Sequence, residues 1–192
     1  MTRKQIDVDV APGFYIVAAC ALLILPVRLV ISWLIAAVIH EIAHILFLKN
    51  HIVGIRILPT GALLQTIPLT AAQECKAALI GPVASLLLCL LFRIFPLVAF
   101  CGFIQFIFNI LPVYPLDGGR SLYCVIKHRF GQKTACITMR YISMLLFAVL
   151  LLFSAYAALA WRTMLPALYL CILIIRKVKG KIPCKYRGRG VQ

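Results

Sequence analysis

Acidic residues are nearly absent from this chain. Only five of its 192 residues are Asp or Glu, and charged residues of either sign make up 13%. Soluble domains carry about a quarter charged residues, so a water-soluble globular fold is excluded. Long polar stretches are missing too. The longest, residues 176–192, is too short to build a core of its own. No CxxC pair occurs among the eight cysteines, most of which stand in apolar runs. A disulfide framework is therefore not expected, and the cysteines read as free thiols acting as small hydrophobes. No cleavable signal sequence is evident either: Arg3 and Lys4 precede an apolar run that leads straight into another.

What is present is hydrophobic. Apolar residues make up 64% of the chain, and the mean hydropathy is +1.03. A spanning helix needs about 20 predominantly apolar residues. Apolar runs at 10–27, 29–48, 77–96, 97–116, 141–161 and 163–175 predict an all-α polytopic membrane protein with about six transmembrane helices. The last run is short and is expected to reach the interface through Arg176, Lys177 and Lys179. Residues 1–175 then form one membrane domain and 176–192 a basic cytosolic tail.

Six spans put both termini on one side. With that side cytosolic, every Lys and Arg except Arg28, Arg93 and Arg162 faces inward, as the positive-inside rule requires. The net charge of +15 is thereby accounted for. The tail KVKGKIPCKYRGR is expected to meet the anionic inner leaflet, and nucleic acid is not an expected partner.

Against this apolar background stands HEIAH at 40–44. Four residues are just over one helical turn, so His40 and His44 share a face and both imidazoles can reach one zinc ion. Glu41 lies beside them, where it can take a proton from water. Three ionisable groups in one turn of a membrane helix would be very costly without a partner, which argues against mere lining of a helix contact. Catalytic zinc takes three protein ligands and keeps one position open. His51, His128, Glu74, Asp7 and Asp9 are available, but Asp117 is the best match in depth, at the inner end of the fourth run. Its surroundings, NILPVYPLDGGR at 109–120, contain Pro112 and Pro115, which cannot continue a helix, followed by Gly118 and Gly119. Unwound backbone at membrane depth is tolerated where it lines a cavity or water. Asn109 supplies an amide that can hold a substrate carbonyl or bond across helices. The segment HIVGIRILPTGALLQTIPL at 51–69 alternates in places and is expected to form a membrane-associated β-hairpin whose edge could pair with an extended substrate.

Together, HEIAH and NILPVYPLDGGR resemble the site-2 protease family of intramembrane zinc metalloproteases. The similarity runs over roughly residues 12–175 and includes the LPTG segment and IGPVAS at 80–85. The resemblance implies that His40, His44 and Asp117 bind one zinc ion, that Glu41 activates water, and that Asn109 and Pro112 lie beside the substrate. It also implies a catalytic core open to the cytosol. Within the family, the likeness is greatest to the sporulation branch, which processes a pro-sigma factor. That branch carries a C-terminal CBS domain that senses nucleotide; here the chain ends about seventeen residues after the last run, so ATP control through such a domain is not expected. A second departure is Ala62, where the family often has a second Gly. The expected partners are a membrane-associated protein substrate, membrane lipids and inhibitory membrane proteins. An anti-sigma factor or a signal-peptide remnant is the alternative substrate. A non-catalytic zinc protein or transporter is the reading from another class, but a transporter would show inverted repeats and a polar path across both leaflets. The chain has neither.

Overall fold

The structure, a computed structural model, describes residues 7–58 and 61–161. It is mostly helical with one three-stranded sheet. The chain divides into two compact units, one ending at Ile110 and the other beginning at Leu111.

The first unit opens with strand β1 (Asp7–Val10) and helix α1 (Pro12–Ile24). Proline suits the start of α1, where its missing N–H costs no helical bond. Pro26 separates α1 from α2 (Val27–Leu48). Along α2 the buried residues Ser32, Ala36, His40, His44 and Leu48 recur every fourth position, making one seam. Strands β2 (Ile52–Leu58) and β3 (Gly61–Thr66) form the expected hairpin. Helix α3 (Ala71–Leu87) starts at a capping box in which Thr70 and Gln73 satisfy each other's backbone N–H. A short 3-10 turn (Leu88–Leu91) leads to α4 (Pro96–Ile110).

Helices α2, α3 and α4 pack mutually. The face of α3 that is buried consists of Ala77, Ala78, Gly81, Pro82 and Ser85, small residues that let helix backbones approach closely. Ala36, Leu88 and Cys101 form one core cluster; Leu48, Ile52 and Ala77 form a second, which seats the hairpin with Ile55 and Leu64. Long apolar side chains such as Leu23, Ile24, Leu90 and Ile94 are exposed, as suits a surface in contact with lipid.

β2 and β3 pair antiparallel, from Ile52 opposite Thr66 to Leu58 opposite Gly61. β1 pairs parallel to β2, with Asp7 opposite Gly54 and Val10 opposite Ile57. Parallel neighbours need a crossover, which the α1–α2 helical hairpin supplies. It returns the chain to the end of the helices from which it left.

In the second unit, the bend at 111–116 precedes α5 (Asp117–Trp161), whose helical course is broken at Gly131. With φ 84° and ψ 165°, Gly131 occupies a region that side chains beyond glycine rarely enter.

Several expected boundaries move. Val10 belongs to β1 and not to the first helix. The third helix starts at Ala71, six residues before the apolar run, because the capping box fixes it there. The fourth ends at Ile110, since Pro112 blocks its extension. The run at 163–175 and the tail lie outside the described residues. Among the described residues, Val27–Leu48 and Ala71–Leu91 are long and apolar enough to cross a membrane, with mean hydropathies of 2.0 and 1.8; Pro12–Ile24 and Pro96–Ile110 are shorter apolar helices. Cys20, Cys89 and Cys101 are free thiols, as read from the sequence, whereas Cys136 is disulfide-bonded, against the expectation that no disulfide forms.

Candidate metal and catalytic site

His40 and His44 are both buried, with 4% and 7% of their surface exposed. Each ring is held at Nδ1 by α3. The His44 Nδ1–H donates to the Ala77 carbonyl oxygen at 2.8 Å, because a carbonyl can only accept. His40 Nδ1 lies 2.8 Å from Ser85 Oγ. Binding at Nδ1 leaves Nε2 of each ring to act as ligand, and the two Nε2 atoms converge to 3.2 Å. Ligands at about 2.0–2.1 Å on a tetrahedral zinc stand about 3.3 Å apart, so the spacing suits a shared ion. Gly81 makes room for the pair. A Cβ there would lie 2.7 Å from His40 Nε2 and would overlap His44 Nε2.

Glu41 turns the other way, toward the hairpin. Its Oε1 accepts the Ala62 N–H at 3.0 Å. Gly61 has φ 124°, and a Cβ on it would come within 2.9 Å of the same oxygen. Ala62, which departs from the family pattern, is thus the residue whose backbone meets Glu41.

Asp117 opens α5 and is buried, with 9% of its surface exposed. The bend before it packs against the first turn of the helix. A Cβ at Gly119 would overlap the Val113 carbonyl group and lie 2.6 Å from Tyr114 N. The paired glycines therefore serve a close backbone approach. The Tyr114 N–H donates to Ser143 Oγ at 3.2 Å, which fastens the bend to the far part of α5. His40 and His44 are candidate metal ligands of the first unit, and Asp117 is a candidate ligand of the second.

Three other residues named from the sequence stand in different settings. Asp9 pairs with Arg56 at 3.0 Å on the exposed face of the sheet. His128 is exposed, and Glu74 stands in the first turn of α3. Asn109 is half-buried near the end of α4, where its Nδ2 donates to the Gln105 carbonyl at 3.0 Å. Pro112 is half-buried in the bend. Gln105 is buried, and among the described residues its Oε1 has no hydrogen-bond partner.

Sequence reasoning missed Ala77, Gly81 and Ser85 as the support of the histidines. Their signal was a stripe of small residues every four positions on α3.

Two buried histidines whose Nε2 atoms converge make a pair suited to hold a metal ion. Residues 91–153 match Peptidase family M50, a stretch that includes Asn109, Pro112 and Asp117 and follows the histidines. The fold is similar to that of the site-2 protease from Methanocaldococcus jannaschii, with a TM-score of 0.66, 18% identity and 93% of each chain covered. No curated protein matches the chain in sequence. The family match supports a zinc metallopeptidase, and Val27–Leu48 and Ala71–Leu91 are long and apolar enough to cross a membrane.

Proposed function

We propose that this chain is an intramembrane zinc endopeptidase that cuts a peptide bond in or near the membrane segment of a membrane-associated protein. The observation that carries this is the histidine pair: both Nδ1 atoms are tied to α3 while both Nε2 atoms converge. His40, His44 and Asp117 would hold the zinc. Bound there, zinc supplies Lewis acidity and lowers the pKa of a coordinated water to about 7. Glu41 keeps one carboxylate oxygen, Oε2, for a proton taken from the attacking water, which it passes to the leaving amine. Asn109 offers its amide to the substrate carbonyl, and Pro112 lines the approach. An extended substrate segment pairs with the open edge of β3, since β1 already covers the far edge of β2.

Six spans with both termini in the cytosol, a membrane domain over 1–175 and a lipid-facing tail at 176–192 complete the reading. The Lys and Arg distribution supports it, as does the pairing of β1 with β2, which keeps the N-terminal strand and the hairpin on one side. The motif resemblance favours a pro-sigma factor as substrate, regulated by inhibitory membrane proteins during sporulation. Glu41→Gln tests the reaction. Cleavage of a co-expressed membrane substrate is expected to fall by about 10²–10⁴-fold with zinc content unchanged. Cleavage at the normal rate would sink the scheme. Capture of substrates by the same variant in native membranes, followed by mass spectrometry, identifies what is cut.

A further inference from the structure

Glu41 sits on the same helical turn as His40, yet its carboxylate is held by a different element. We propose that the tip of β3 is a positioning device for Glu41, with Gly61 as the positioning residue and the Ala62 N–H as the clamp. The inference rests on Glu41 acting as the base.

Three observations carry it. Ala62 N–H donates to Oε1 at 3.0 Å, a bond strengthened by charge when the carboxylate is ionised. Gly61 has φ 124°, where a side chain is strained. A Cβ at Gly61 would stand 2.9 Å from that same Oε1, so a side chain there would push the carboxylate out of its present position. One oxygen is thereby fixed and the other left for water, which sets the direction in which the base points.

The clamp also belongs to the edge that would receive substrate. Successive N–H groups of a strand point to opposite sides. Since the Ala62 N–H faces Glu41 and not β2, the N–H groups of Leu64 and Thr66 face the same way. The Ile67 N–H, which bonds to the His51 carbonyl, keeps the opposite parity. An extended peptide on this edge takes the rungs at Leu64 and Thr66 and runs toward the rung that holds Glu41. Docking and orientation of the base thus use one strand.

A double-mutant cycle between Gly61→Ala and Glu41→Asp tests this, using full-length, zinc-loaded protein in detergent micelles and fluorescein-labelled β-casein as the probe. The shorter aspartate side chain at position 41 draws its carboxylate back from residue 61, so the added methyl group has less to collide with. Gly61→Ala is expected to lower kcat about tenfold in the Glu41 protein and at most about twofold in the Glu41→Asp background. KM and zinc content should stay within about twofold throughout. An equal loss in both backgrounds, or a change confined to KM, would overturn the proposal. If Gly61→Ala lowers zinc content or the melting temperature, Ala62→Pro decides. It removes the N–H and keeps Gly61, and an unchanged kcat would overturn the proposal. The two readings fail separately: active Glu41→Gln defeats the functional assignment, whereas inactive Glu41→Gln with an additive cycle defeats only the clamp.

Discussion

The two sides of the HEIAH turn are supported in unlike ways. On the histidine side, α3 grips each imidazole at Nδ1, and Gly81 leaves no side chain between helix and rings. Everything there is buried. On the glutamate side, a half-buried carboxylate meets the Ala62 backbone N–H at the tip of a strand. Metal ligands work best when orientation is fixed by neighbours that do not move. A base must exchange a proton and tolerate changing company. Neighbouring residues in the sequence are thus given different freedom, because one side rests on a helix seam and the other on a sheet edge.

That contrast can be broken from the rigid side first. Gly81→Ala places a methyl group on the ligand nitrogens and is expected to weaken zinc binding by more than about 100-fold, with cleavage lost in proportion. Zinc content after dialysis against a chelator measures it, and full occupancy would show that α3 can yield. Ser85→Ala removes the hydroxyl that lies 2.8 Å from His40 Nδ1. Zinc affinity should fall about 10–100-fold, read by competition titration; no change would make that contact incidental. The sheet side should be far more tolerant. Asp9→Asn breaks the Arg56–Asp9 pair, whose side chains are 52% and 59% exposed. A stability change under about 1 kcal/mol and cleavage within twofold are expected from thermal melts and initial rates. A larger loss would mean that the sheet is held as tightly as the helices.

Much of the site is legible in the sequence. HEIAH carries its own geometry, because helical periodicity alone puts His40 and His44 on one face. Asp117 stands out because acids are so few, and the hairpin because alternation, Pro59 and Gly61 mark it. Ala77, Gly81 and Ser85 are not legible as supports. Which face of α3 meets α2 depends on helix rotation, a tertiary property. Strand β1 is absorbed into an apolar run, since four residues of DVDV give too little alternation to compete with the helix that follows. The early start of α3 is written in the sequence, as Thr70 and Gln73 have capping-box spacing, but the apolar run masks it.

The capping box at Thr70 has a consequence for phase. A helix is a screw, in which each residue turns the chain by about 100° and advances it about 1.5 Å. By fixing where α3 begins, Thr70 and Gln73 set the angle at which Ala77, Gly81 and Ser85 emerge. One residue inserted between Thr70 and Ala77 would leave every apolar residue in place on paper and still rotate the glycine away from the histidines. A polar pair at the mouth of the helix thus acts as the timing mark for the candidate metal ligands buried further along it.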